Sequence, residues 1–374
     1  MRIGVNARFL LTKKMEGFGW YSYETLSRIT KNHPEHEFIF FFDRAYDTKF
    51  LFSENITPVV LAPQARHPIL QVIWFDFSVK KALKKYKCDA FVSPDGYLSL
   101  TSDMPQLAVI HDLNFEHHPE DLPPYLLKFL RKRFPLFAQK ATHICTVSQF
   151  SKDDLIQTYK IPADKISVTH NGASPVFKPI EETEKQTVRD KFTAGKPFIV
   201  FVGAIHKRKN VGRLIEAYKK LKKNPDFPFH LLFVGEPMWK SQAIQVSEAD
   251  KQYIHFTGHL SLEELASIVG SAECLAFISY FEGFGIPLVE AMRAGTPVLA
   301  GNLTSLPEIG GDAVLYCDPF SVDDIQTQLE KLVSDKELQK TLTAKGLDRA
   351  TQFTWDRTAE ELWKGIARIL PKKD

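Results

Sequence analysis

Tyr280-Phe281-Glu282-Gly283-Phe284-Gly285-Ile286-Pro287-Leu288-Val289-Glu290-Ala291-Met292-Arg293-Ala294-Gly295-Thr296-Pro297-Val298 reads as a glycine-loosened loop that becomes a short helix and then a buried strand. Gly283 and Gly285 remove side chains where backbone N–H groups have to approach another molecule. Pro287 suits the first helical turn, where its missing N–H costs nothing. Gly295 suits the position just past the helix end, and Pro297 stops the helix from resuming. A loop feeding a helix N-terminus is an anion site, because unpaired N–H groups and the positive dipole end converge there. Two carboxylates, Glu282 and Glu290, bracket it. Beside a phosphate they would repel. Facing hydroxyls they make sense, and a nucleotide sugar offers both phosphates and hydroxyls. The plainer alternative is a helix whose early glutamates complement its dipole.

The strand delivering this loop belongs to a series. Residues 2–9, 37–43, 58–61, 89–93, 106–110, 143–148 and 166–169 read as strands, with helical stretches at 21–30, 72–86, 123–140 and 151–159, the last capped by Ser151. A second series follows, with strands at 198–203, 230–235, 253–257, 273–279 and 298–300. Its helices fall at 211–221, at 262–270 behind a Ser261/Glu264 capping box, and at 323–333, 336–353 and 355–370. Strands alternating with helices in both halves predict an α/β protein of two Rossmann-like, doubly wound domains. Residues 176–195, dominated by Pro, Glu, Thr and Lys without an apolar period, read as the linker.

Composition bounds the function. The 374 residues suit two domains, and 44% hydrophobic with 25% charged residues suits a soluble globular chain. A net charge of +3 implies no strong nucleic-acid field. Cys88, Cys145, Cys274 and Cys317 are scattered, which suits buried thiols in a reducing compartment. No signal peptide is evident, and no apolar run approaches the roughly 20 residues that span a bilayer. The expectation is a cytoplasmic protein, peripheral at the inner face of the membrane if its basic clusters touch it. Those clusters are Lys80, Lys81, Lys84, Lys85 and Lys87, and Lys128, Arg131, Lys132 and Arg133. The second lies on the 123–140 stretch, which reads either as an interfacial helix meeting anionic lipid or as a core-packed helix with a solvated basic face. No Asp-x-Asp motif and no His/Cys cluster has metal spacing.

Other candidate residues sit at strand ends. His111 and Asp112 follow a strand, where a histidine can exchange protons with a substrate hydroxyl; the alternative is a structural His bonding a loop carbonyl. Gly17 and Gly19 lie in a βα loop spanning 10–20 that lacks the full dinucleotide fingerprint. Arg208 and Lys209, following Gly203, can meet phosphate oxygens as a planar fork and a mobile point charge. A departing diphosphate would be stabilised by both.

The run F-E-G-F-G-I-P-L-V-E-A-M-R-A-G-T-P-V resembles the donor-site signature of the retaining family 4 glycosyltransferases, which have the GT-B fold. The resemblance covers nearly the whole chain. It implies two domains facing a central cleft: residues 1–175 on the acceptor side, joined by a helix at 355–374, and residues 196–354 binding the donor. It also implies that Glu282 contacts hydroxyls of the transferred sugar, and Glu290 the nucleotide ribose. Arg208 and Lys209 would hold the pyrophosphate, with Gly203, Gly283, Phe284, Gly285 and Ile286 around the donor. The base would lie near Gly258. His111, Asp112, Gly17 and Gly19 would fall on the acceptor side. Some members carry a further Arg where this chain has Ala204. No cofactor is implied beyond the substrate, a nucleotide-diphosphate sugar with GDP-mannose the first choice, and no metal. The acceptor would be a glycan or a lipid-linked hydroxyl. A GT-B nucleotide-sugar epimerase and a non-catalytic two-lobed binding protein are the alternatives.

Overall fold

The structure is a computed structural model and describes residues 1–11, 15, 17–236 and 246–371. Residues 12–14 and 16, which fall in the stretch expected to be the glycine loop, residues 237–245, and residues 372–374, which fall in the expected C-terminal helix, lie outside the described residues. The chain divides into two compact units, one of Met1–Asn171 with Trp355–Asp374 and one of Gly172–Thr354.

The first unit is built on seven strands: β1 (Arg2–Asn6), β2 (Glu37–Phe42), β3 (Ile56–Val60), β4 (Ala90–Ser93), β5 (Gln106–Ile110), β6 (His143–Thr146) and β7 (Ile166–Val168). They pair in the order β3-β2-β1-β4-β5-β6-β7, all parallel. A parallel sheet is covered on both faces, so its strands are apolar without alternation. Phe38–Phe42 are accordingly all buried. The second unit has six parallel strands: β8 (Phe198–Val202), β9 (His230–Val234), β10 (Ile254–Gly258), β11 (Cys274–Phe277), β12 (Val298–Gly301) and β13 (Leu315–Cys317). Their order is β10-β9-β8-β11-β12-β13. Each sheet reverses its winding once, between β1 and β4 in the first unit and between β8 and β11 in the second. Ligands of doubly wound sheets bind beyond the strand carboxyl ends at that reversal.

Several local expectations need correction. Gly17 and Gly19 are not in a loop but open helix Gly17–Asn32. Gly19 is required by close approach rather than by a turn: a Cβ there would lie 2.8 Å from the Phe9 carbonyl oxygen. The helix read at 151–159 starts two residues earlier, as Gln149–Tyr159, and its cap is Ser148, whose Oγ accepts from the Ser151 N–H. The polar stretch read as linker holds helix Glu182–Thr193. Only Val188 and Thr193 of that helix are buried, so it shows no apolar period. It is tied instead to helix Leu262–Ser271 by Lys191–Glu264 and by Ser267 Oγ donating to Glu184. The helical stretch at 72–86 begins at Pro68, and Trp74–Val79 within it is π-helical.

Candidate functional site

At the reversal of the second sheet, β8 ends at Val202 and is followed by Gly203, whose φ of +139° suits glycine. A Cβ on the neighbouring Gly235 would fall 2.1 Å from the Gly203 oxygen, so the chains leaving β8 and β9 can touch only as bare backbone. A single turn, Lys207–Lys209, follows, with His206 Nδ1 accepting from the Arg208 N–H. Asn210, at φ +60°, donates its side-chain amide to the carbonyls of Ile278 and Pro319. This pins the turn to the end of β11.

The loop after β11 brings Glu282 to the same place. Lys209 Nζ lies 2.6 Å from Glu282 Oε1, and Arg208 Nη1 lies 2.8 Å from Oε2. Arg208 Nη1 also donates to the Phe281 carbonyl, and Lys209 Nζ stands 4.6 Å from the centre of the Phe277 ring. Burial by itself would raise the Glu282 carboxyl. Arg208 and Lys209 override it and hold the group down at about 2. Its backbone is fixed as well, the N–H donating to Thr304 Oγ1 and the carbonyl accepting from Ser305 Oγ. Ser305 Oγ also reaches the Phe284 carbonyl.

Gly285 (φ +99°) caps helix Ile286–Arg293, with Pro287 in its first turn and Gly295 (φ +74°) past its end. A Cβ on Gly285 would press on Leu306 Cδ2 at 2.8 Å. Glu290 lies on this helix and makes no ion pair or side-chain hydrogen bond with a described residue. Burial pushes its carboxyl up to about 8. Part of the residue still reaches solvent, which tempers that shift without reversing it. Gly258 ends β10 at φ +74°, its carbonyl accepting from the Gly235 N–H. The structure thus gathers Gly203, Arg208, Lys209, Glu282, Gly283, Phe284, Gly285 and Ile286 at one end of the second sheet.

Two family models match the sequence: one described as Glycosyltransferase Family 4 over residues 17–176, the other as Glycosyl transferases group 1 over residues 182–349. The chain belongs to the family 4 glycosyltransferases. The O-antigen chain mannosyltransferase B of Escherichia coli is 29% identical to this glycosyltransferase over 360 residues, which is 91% of this chain and 93% of that relative. The MMP alpha-(1->4)-mannosyltransferase of Mycolicibacterium hassiacum is 27% identical over 241 residues, 62% of this chain and 56% of its own. Among solved structures, the glycosyltransferase from Rickettsia africae aligns over 100% of this chain and 99% of its own, with TM-score 0.74 and 17% identity. The Anabaena protein HepE in complex with UDP and glucose aligns over 98% and 99%, with TM-score 0.73 and 16% identity. These likenesses show the GT-B fold.

The remaining candidates lie in the first unit of the glycosyltransferase. His111 follows β5, and its Nε2 is 2.8 Å from the Pro94 carbonyl oxygen, so that nitrogen carries the hydrogen and Nδ1 is the basic one. Burial lowers its pKa against the opposing pull of the Pro94 carbonyl, Asp112 and Asp95. The rings of Phe18 and Tyr21 stand edge-on to the imidazole, each at 4.8 Å. Asp112 accepts from the Asn114 N–H and so shapes the turn after β5. Sequence reading overlooked Thr304 and the tethering amide of Asn210. Adjacent hydroxyl residues in the turn a few residues after an apolar strand are the signal that marks Thr304 and Ser305.

Proposed function

We propose that this glycosyltransferase moves a mannosyl group from GDP-mannose to a hydroxyl of a glycan or lipid-linked acceptor, with retention and without a metal ion. The observation that carries the reading is the Glu282 carboxylate held between Arg208 and Lys209 at the carboxyl ends of β8 and β11. A diphosphate entering there meets two cations and the N–H groups opening helix Ile286–Arg293. The cations offset charge on the leaving diphosphate as the bond from sugar C1 to phosphate oxygen breaks. Glu282, kept ionised, accepts hydrogen bonds from hydroxyls of the transferred sugar. Glu290 faces the ribose, and Gly258 lies towards the base. The acceptor oxygen bonds to C1 on the face the diphosphate leaves, and its proton passes to a phosphate oxygen. His111, with Nδ1 basic, serves the acceptor side together with Asp112.

Mannose is the sugar of choice because relatives spanning most of this chain are named mannosyltransferases. None of the relatives cited is an epimerase or a binding protein, and product analysis with and without acceptor separates those readings. The proposal includes a cytoplasmic enzyme, peripheral at the inner face of the membrane. No helix among the described residues is long and apolar enough to cross one.

The test is thermal unfolding of the protein with GDP, UDP, TDP and ADP and their common sugar conjugates. A ligand at about 100 times its Kd stabilises by roughly 2.7 kcal/mol, a readily measured rise in midpoint. GDP and GDP-mannose are expected to stand out. A response to uridine nucleotides alone would move the donor away from GDP-mannose, and no response from any of them would remove the donor site.

A further inference from the structure

The first unit carries a surface that neither the fold nor the donor site uses. On the helical run from Pro68 to Lys85, Ile69, Ile73 and Phe77 are 65%, 40% and 65% exposed, while Trp74, Phe75 and Val79 are buried. Residues four apart share a helix face but drift round it with each step. The wider π turn at Trp74–Val79 reverses that drift, so the three apolar side chains form one straight stripe. The same spacing continues into Lys81 and Lys85, both exposed. Tyr125, 60% exposed, borders the stripe with its ring stacked on that of His67. It opens helix Pro124–Lys140, whose outward face shows Lys128, Lys132 and Leu136.

The charge of this surface is one-sided. Helix Pro124–Lys140 contains no acidic residue, and between residues 61 and 88 the only one is Asp76, which is buried and paired with Arg133. Monomeric proteins seldom expose such a stripe unless something covers it. A second copy of the chain would set lysines against lysines. A bilayer of anionic phospholipid supplies both things the surface needs, hydrocarbon for the stripe and negative charge for its rim.

We infer that Ile69, Ile73, Phe77 and Tyr125, framed by Lys81, Lys85, Lys128 and Lys132, form the face by which this protein rests on an anionic phospholipid membrane. The inference deepens the proposed function, on which it rests for its purpose of presenting the enzyme to a lipid-linked acceptor, but binding itself needs no turnover.

The experiment is co-sedimentation of the full-length protein with phosphatidylcholine vesicles, with and without phosphatidylglycerol. Binding is expected to the anionic vesicles only. The double variant I69S/F77S is expected to lose it at least about 10-fold, and K81E/K85E roughly 30-fold, since each lysine contributes about a factor of 5 near such a surface. Unchanged thermal midpoints with GDP for both variants show that fold and donor site are intact. Equal binding to neutral vesicles, no loss in either variant, or capture by heparin or RNA in preference to vesicles would overturn the inference. Loss of vesicle binding with an intact GDP response would leave the glycosyltransferase reading standing, and vesicle binding without any GDP response would do the reverse.

Discussion

Glu282 and Glu290 share a loop and helix yet carry opposite electrostatic perturbations, and the consequences can be measured. Glu282 is held at about 2, below its ordinary 4.5. Its ionised form therefore stabilises the fold above pH 4.5, by roughly 3 kcal/mol, and this contribution is lost as pH falls towards 2. Glu282→Gln should flatten the acid limb of the stability curve. It should also lower kcat roughly 100-fold while leaving GDP affinity unchanged or improved, because two cations lose their internal counterion. GDP affinity falling in step with kcat would contradict the assignment of Glu282 to the sugar. Glu290, raised to about 8, acts with the other sign. Its contribution is fully present below pH 4.5 and is lost as pH rises through 8. Glu290→Gln should therefore have a higher thermal midpoint than the parent at pH 8, a smaller advantage at pH 5, and weaker GDP binding if the residue meets the ribose. An equal effect at both pH values would show that burial does not hold the Glu290 proton.

At the scale of elements, the glycines of the two units are needed for reasons that differ in kind. Gly285 sits at positive φ and against Leu306, so Gly285→Ala should cost about 1–3 kcal/mol and weaken GDP binding by displacing the helix N-terminus. Denaturant unfolding and a GDP titration measure both, and a variant with unaltered stability would show that the loop relaxes freely. This glycine was legible in the sequence, because loop, helix and strand follow one another within a short run. Gly19 was not, since its reason is the Phe9 carbonyl pressing on it from outside the helix. Helix Glu182–Thr193 was equally hidden. Its partners Glu264, Ser267 and Glu273 are remote in sequence, and ion pairs across such separations leave no periodic trace.

For the whole molecule, the chain leaves the first unit at Asn171 and returns to it at Trp355. Helix Trp355–Ile369 belongs to the first unit, covering β5 and β6 so closely that a Cβ on Gly365 would lie 2.7 Å from Cys145 Sγ. Thr358 donates to the His170 carbonyl, and Trp363 stacks on His33 at 3.6 Å. A chain ending at Thr354 should therefore lose protection in the first unit before the second. Limited proteolysis should cut within Met1–Asn171 first while a GDP-induced rise in midpoint persists. Simultaneous loss of both would show that the units do not unfold separately.

The sequence by itself determined the alternation of parallel strands and helices, because burial on both faces writes continuous apolar runs, and it marked the loop-to-helix turn after β11 through Gly285 and Gly295, which sit at positive φ, and Pro287 in the first helical turn. It also ranked Arg208, Lys209 and Glu282 as site residues. Tertiary structure alone decided that these three form one ion cluster around the buried Glu282 carboxylate, that Thr304, Ser305 and Asn210 hold it, and that the helix at 124–140 buries one face while Ile69, Ile73 and Phe77 lie bare. The reason is physical: local preference fixes where an element begins and which residues it can turn inward, whereas pairing energies and exposure depend on what distant segments bring to the same few ångströms.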